Sequence, residues 1–529
     1  ALPIYVVDKL SPTSEGNDIL WEQYSNRFVL ADENGKIIFK DDLTEGDTAN
    51  DYNFWKIIDS ESELKDCTFS VYLSGDSWKN SVTHNAGVDV GENTGIDVTY
   101  ASESARNGEN EFAIVRTNGG VLTVNAGNST VKHYDGAESV IIEAVAANSY
   151  HENGQIDGNV ILKQGRFIAE NGSQASGVIL TADSADKIQV SISANASVAL
   201  VAATNADVAK AIKTVVQDHS AQTVVKEQTV IDPTDDTSFG GGTGAETSPL
   251  IVDTAEQFLN VAKLVGKVYI RLNADIYLED VLTIPSDLIV TLDLNGKRIT
   301  VSQQDGKSLY AIDNYGVLYL QDNSESQNGV IVARGVENFN VMYMQSGKIE
   351  SCDSNGGGAA IWNVGSLTMT GGTLAFTGEK RDNSAGAPLS NQADANATIT
   401  GGNLISEYTC VFSFGQLEIS NISLESETAY WNTVKVQGGT ALLENVAITT
   451  RLGGCLEAAG GNVTLVNCNF MQIVPDDEVS VWNSMCMAAS GGGTVTVKGG
   501  SYTSAQYGAY IFNSGGTINI EDGTFVATE

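Results

Sequence analysis

Proline, histidine and basic residues are scarce in this chain. Its 529 residues hold Pro 7 against Gly 54. That balance excludes a Pro-rich disordered stalk and suits short strands joined by tight turns. Lys and Arg together number 29 against 66 Asp and Glu, a formal net charge of −37. A chain this acidic repels phosphate backbones and anionic lipid, so nucleic acid is not an expected partner. No apolar run approaches the ~18 to 20 residues that span a bilayer, so no membrane insertion is expected. No positively charged leader precedes the opening ALPIYVV, as in a mature or trimmed chain. The six cysteines are Cys67, Cys352, Cys410, Cys455, Cys468 and Cys486. They form no CxxC and no dense framework, which argues against a zinc knuckle or a redox pair.

What is present is apolar content of 42%, enough for a large core, in a length that suggests two or more domains. It is also a repeat. In AIWNVGSLTMTGGTLAF, residues 360 to 376, two apolar alternations flank a Gly and a Gly-Gly follows. The pattern apolar, x, Gly/Asn/Asp/Ser, x, x, apolar has its third position at Gly296, Asp322, Ser346, Gly371, Gly401, Asn421, Asn445, Asn467, Gly499 and Asp522. Gaps run from 20 to 32 residues. A period in the twenties with strand-type alternation and no helix between strands predicts a solenoid, a right-handed parallel β-helix. Gly turns the corners where φ is positive, and Asn or Asp can replace it. With ~4.8 Å between neighbouring strands, ten coils make a rod roughly 45 Å long.

The expected fold class is all-β: tandem right-handed parallel β-helices with short capping helices. Residues 1–65 read as an irregular β segment. Residues 66–219 read as a short β-helix closed by a helix over about 204–216, with Val208, Ala211, Ile212 and Val215 on one face. Residues 220–247, with SFGGGTGAETSP at 238 to 249, read as a linker. Residues 248–529 read as the main β-helix, its open end covered by a helix over about 254–265. Thr254 and Gln257 suit a capping box there, with Phe258, Leu259, Ala262 and Val265 facing inward.

Two phrases, LIVTLDLNGKRIT after that helix and TVKHYDGAESVIIEAVAANSYHENG upstream, resemble segments of secreted right-handed parallel β-helix proteins from Gram-positive bacterial surfaces. The resemblance implies the pectate-lyase-like architecture and an extracellular or cell-surface setting. It implies no activity, since a fold does not carry a function.

Catalytic phrases of the polygalacturonase and pectate-lyase kinds are missing. Lys380, Arg381 and Asp382 lie in the insertion with a gap of 30 residues, and PDDE at 475–478 lies in the one of 32. An active-site loop or a calcium site could use them. Without EF-hand spacing, solvated loop tips are the simpler reading, and no cofactor is expected. His133 and His151 are 18 residues apart, close to one coil, and with Glu152 could stack as an acid–base or metal pair. A structural pair is the simpler reading. Asn314, Asn363, Asn391 and Asn513 share one register and should point inward, each bonding the backbone of the next coil. Cys410, Cys455 and Cys486 also share a register, as packed thiols or a disulfide.

The remaining signal is aromatic. Each coil carries a second short strand before the repeat position, read in AIDNYG, AIWNVG, PLSNQ, CVFSFG, TVKVQGG, CLEAAGG, MAASGG and YIFNSGG. Between its inward residues fall outward ones: Asp313 and Tyr315, then Trp362, Ser390 and Gln392, Phe412 and Phe414, Lys435 and Gln437, and Glu457. Tyr408, Tyr430 and Trp431 sit at nearby corners. Rows of outward aromatics with polar flanks suit sugar rings. The expected ligand face is therefore Tyr315, Trp362, Phe412, Phe414, Tyr408, Tyr430 and Trp431. The expected function is a non-enzymatic adhesin or glycan-binding scaffold, with a glycan or a host or bacterial surface protein as partner. The alternatives are a polysaccharide lyase or glycoside hydrolase, and a purely structural stalk.

Overall fold

The structure, a computed structural model, describes residues 4–6, 28–31, 37–39, 68–73, 95–100, 112–125, 130–145, 150–235, 237–304, 307–308, 310–351, 358–377, 386–426, 432–451, 453–473, 485–505, 507–511 and 515–528. Two compact units emerge. The first is Ala1–Leu250 with Lys263–Tyr269, and the second is Ile251–Ala262 with Ile270–Glu529. The chain is all-β, built of stacked parallel strands as a β-solenoid.

In the first unit, Ile4–Val6 pairs antiparallel with Phe28–Ala31 and parallel with Thr68–Leu73. From there on the neighbours are parallel: Thr130–Ala137 lies beside Tyr150–Glu152, and Gln155–Leu162 beside Gln174–Leu180. Helix α1, Ala206–Val215, is N-capped by Asn205, whose side chain accepts from the backbone N–H groups of Asp207 and Val208. It buries Val208, Ala209, Ile212 and Val215, so Ala209 takes the place expected of Ala211. Residues 220–247, expected as a linker, belong to this unit instead. They contain the strand Val224–Thr229, Phe239 is fully buried, and the Thr247 hydroxyl donates to Glu138.

The second unit opens with helix α2, Ala255–Asn260. The Thr254 hydroxyl accepts from the Gln257 backbone N–H, and the Gln257 side-chain oxygen Oε1 accepts from the Asp253 N–H. The helix is shorter than expected, because the chain tightens into a single 3₁₀ turn at Val261–Lys263 before Gly266. Phe258 and Val265 are buried as expected, and Val261 and Leu264 are buried in place of Leu259 and Ala262. The helix lies against Ile276–Leu278 and Leu282–Ile284, the first strands of the stack.

Each coil then contributes one short strand to a ten-stranded parallel sheet, running from Leu282–Ile284 to Tyr507–Ile511. The register is strict. Leu282, Ile312, Val336, Ile361, Leu389, Val411, Val434, Leu456 and Met487 form one inward column. All are buried. The coil count matches the sequence pattern, but two of its short strands, Leu282–Ile284 and Val336–Asn338, are not among the phrases that pattern singles out.

The corners fall one residue later than expected in four coils. Gly347, Gly372, Gly402 and Gly523 carry the positive φ, not Ser346, Gly371, Gly401 and Asp522. Gly371 needs its hydrogen for a different reason: a Cβ there would lie 2.2 Å from the Gln345 carbonyl oxygen of the preceding coil. Asn421, Asn445 and Asn467 are left-handed themselves, with φ of 58°, 51° and 49°.

Inside the stack runs an amide ladder. Asn314 Nδ2 donates to Asn338 Oδ1 at 2.8 Å, Asn338 to Asn363 at 2.7 Å, and Asn363 to Asn391 at 2.8 Å. Asn391 ends the run on the Ser413 hydroxyl at 3.1 Å. Each Nδ2 also donates to a backbone carbonyl of the next coil: Val341, Ser366, Asn396 and Gln416. Burial of these amides is tolerable because nearly every polar atom is paired. The exception is Asn314 Oδ1, at the end of the run beside Ile284, which has no partner. The sequence reading misses Asn338, and Asn513 lies outside the described residues.

Two stability tests follow from these contacts. Gly371→Val forces a side chain into a backbone oxygen that cannot retreat, and should cost roughly 1–3 kcal/mol. An unchanged thermal transition would show that the coil spacing relaxes there. Asn363→Ala strands groups on both neighbours and should cost about 1–3 kcal/mol. Asn314→Ala should cost less, because it also removes an unpaired oxygen. Equal losses in chemical denaturation would argue against the ladder as a paired run.

Candidate ligand-binding face of the short-strand sheet

Two adjacent columns make up the outward side of the ten-stranded sheet. The first follows the register Asp313, Glu337, Trp362, Ser390, Phe412, Lys435 and Glu457. The second lies one residue past the inward amides: Tyr315, Phe339, Val364, Gln392 and Phe414. Their N–H groups continue the ladder, Phe339 to the Asn314 carbonyl and Val364 to that of Asn338. The structure thus brings together four residues expected at the face, Tyr315, Trp362, Phe412 and Phe414. It adds Phe339 and Glu337, on or beside the short strand Val336–Asn338 that the sequence pattern overlooks, and Val364, just past Ala359–Asn363.

Tyr315 is 45% exposed, and Val364 and Phe414 are 38% exposed. An apolar ridge in contact with water is costly unless something covers it. Trp362 and Phe412 are half-buried, each flanked by polar residues of its own column. Tyr315 does not offer both ring faces to a ligand. It stacks on Phe339 with centroids 4.4 Å apart and planes 3° apart, so one face of each ring is taken by the other. Tyr408 is half-buried at the bend before Val411–Ser413, in neither column. Tyr430 and Trp431 lie outside the described residues, as do Lys380, Arg381, Asp382 and residues 475–478.

The carboxylates of the first column differ sharply in environment. Glu457 is satisfied: Lys435 Nζ lies 3.1 Å away, Asn432 donates at 2.9 Å and the Ser490 hydroxyl at 2.7 Å. Asp313 and Glu337 are in-register neighbours on adjacent strands, and among the described residues neither makes a hydrogen bond or ion pair. Burial raises the Asp313 carboxyl above the usual aspartate range. Burial also raises Glu337, the charge of Asp313 adds to the rise, and Arg334 offsets part of it. Arg334 sits over the Tyr310 ring, 5.8 Å from its centroid.

The first unit holds the other candidate. His133 and His151 do not stack. The coil there is one residue longer than their spacing, so His133 lies opposite Glu152 and His151 opposite Lys132. A one-residue difference puts a side chain on the other face of a strand. His133 Nδ1 lies 2.8 Å from Glu152 Oε2, the Tyr150 hydroxyl donates to the same oxygen at 2.9 Å, and the Gly154 N–H donates to Oε1. All three side chains are buried, which closes the network to a substrate. Burial, then the Glu152 charge, pushes the Tyr150 phenol well above its ordinary value. His151 lies outside, 2.7 Å from Glu170. Among the described residues no three His, Cys, Asp or Glu gather as a metal-binding group, and no helix is long and apolar enough to cross a membrane.

Cys410, Cys455, Cys468 and Cys486 are free, buried thiols. Cys455 and Cys486 precede the paired residues Leu456 and Met487 and so adjoin each other. Burial pushes the Cys410 thiol up to about 12 and that of Cys455 well above the ordinary value.

No family model, curated protein or solved structure was found to match the chain.

The thiolate is the reactive form, so these cysteines should resist alkylation in the folded protein. Peptide mapping after iodoacetamide treatment at pH 8 should find Cys410, Cys455 and Cys486 unlabelled until denaturant is added. Rapid native labelling of Cys455 would contradict its burial.

Proposed function

We propose that the second unit is a non-enzymatic binding module, and that its ligand is a glycan lying along the outward face of the short-strand sheet. A secreted or cell-surface setting, as in bacterial adhesins, belongs to the same proposal. The observation that carries it is the exposed ridge of Tyr315, Val364 and Phe414 beside the half-buried Trp362 and Phe412. These side chains stand on a sheet whose register is fixed by stacking, so their spacing is preset before a ligand arrives. Preset geometry lowers the ordering cost of binding. Aromatic surface beside Gln392, half-buried and bonded to the buried Ser390 hydroxyl, offers apolar contact and a polar amide at one step, as sugars require.

A hydrolytic reading has one observation in its favour, the adjacent carboxylates Asp313 and Glu337 with raised pKa values. Paired carboxylates about 5 Å apart are the geometry of retaining glycosidases. The binding reading uses the whole ridge and the hydrolytic one only its end.

A glycan array, followed by titration of the hits, tests both. Trp362→Ala and Phe414→Ala should each weaken the best hit at least fivefold with little change in melting temperature. Neither pectin nor polygalacturonate should be turned over. Binding unaffected by both substitutions, or release of reducing ends that Glu337→Gln abolishes, would replace the proposal with another.

A further inference from the structure

Resting on that reading, we infer that the glycan is cationic: it carries free amines, one of which sits against Asp313 and Glu337 at one end of the ridge. The two residues face each other in register on adjacent strands, whose backbones lie about 4.8 Å apart, and both are half-buried and without a donor of their own among the described residues. Like charges directly opposite on neighbouring strands are destabilising. The same column shows what a carboxylate with only protein partners looks like, because Glu457 takes three donors from Asn432, Lys435 and Ser490. Asp313 and Glu337 take no such donors from the described residues. Arg334 is close enough for its charge to be felt by Glu337.

A protonated amine fits this gap. It brings three donors and a positive charge, and it can bridge both carboxylates while the rest of the saccharide follows the ridge towards Trp362 and Phe412. Long-range charge favours the same class of ligand. A chain with a formal charge of −37 attracts cations and repels uronates, sulfated sugars and sialylated glycans. A neutral sugar would supply hydroxyl donors but leave the repulsion between the carboxylates in place. A basic peptide would relieve the charge but has no reason to require Trp362.

The probes are the hexasaccharide of β-1,4-linked glucosamine, its fully N-acetylated counterpart, an oligogalacturonate and a hexalysine peptide, titrated calorimetrically into the whole chain at pH 6 and low salt. The glucosamine hexamer should bind at least tenfold more tightly than the acetylated one, and the oligogalacturonate should not bind. Glu337→Gln and Asp313→Asn should each weaken the glucosamine hexamer at least tenfold. The same substitutions should raise the melting temperature of the free protein at neutral pH. The sign follows from the raised pKa values: such groups favour the folded state when protonated, and that contribution is lost as pH rises through the folded-state pKa. A variant that is more stable yet binds less cannot be dismissed as misfolded.

Equal affinity for the acetylated hexamer, or binding untouched by both carboxylate substitutions, would overturn the inference and leave the glycan face standing. Hexalysine binding as tightly as the glucosamine hexamer, with Trp362→Ala without effect on either, would overturn both in favour of a surface that attracts cations in general. Binding of no saccharide at all would remove the glycan reading itself.

Discussion

Everything in the second unit depends on in-register stacking of parallel strands. Once one coil is set, each residue of the next is placed directly beside its counterpart at the strand spacing of about 4.8 Å. Like then meets like along the stack. Apolar residues form the inward column from Leu282 to Met487, amides form the run from Asn314 to Asn391, and aromatics and carboxylates form the outward columns. The arrangement rewards residues that gain from repetition, such as amides with a donor and an acceptor. It penalises those that repel their own kind.

That penalty makes the outward column informative. Lys435 beside Glu457 is a repetition resolved by opposite charge, whereas Glu337 beside Asp313 is one left unresolved. A fold that places side chains this rigidly cannot turn them away from each other as a loop could. The energy stored there is available to whatever neutralises the pair. The buried network of His133, Tyr150 and Glu152 is the opposite case: a charge-bearing group taken out of water, given partners and closed to ligands.

The sequence pattern made the coil count of the second unit and the direction of most inward residues legible, because corners recur with Gly, Asn or Ser and strands alternate. It blurred wherever one residue decides the outcome. The left-handed corner is Gly372 rather than Gly371, and the difference is invisible when two glycines adjoin. His133 meets Glu152 and not His151 because the coil is one residue longer than the histidine spacing. Val336–Asn338 escaped notice since its phrase, VENFN, lacks the Gly that follows most of the other short strands. Glu337 was lost with it, and so was the carboxylate pair. The signal was nonetheless there: an apolar residue, any residue, Asn and then an aromatic occurs both at Ile312–Tyr315 and at Val336–Phe339. Residues 220–247 read as a linker from their glycines, but Phe239 among them is a core residue.

The amide ladder has a finite length, and that gives it a role its hydrogen bonds alone do not describe. Apolar columns are nearly interchangeable from coil to coil, so a growing stack could add a coil one step out of place and bury almost the same surface. The ladder forbids this. It begins beside Ile284 and ends on Ser413, with Val436 beyond. A coil docked one step early or late sets an amide against an aliphatic side chain at one end of the run and leaves its polar atoms unpaired. Buried polar groups left so are expensive. The five polar rungs therefore act as an address, telling each coil in a monotonous stack which neighbour is its own.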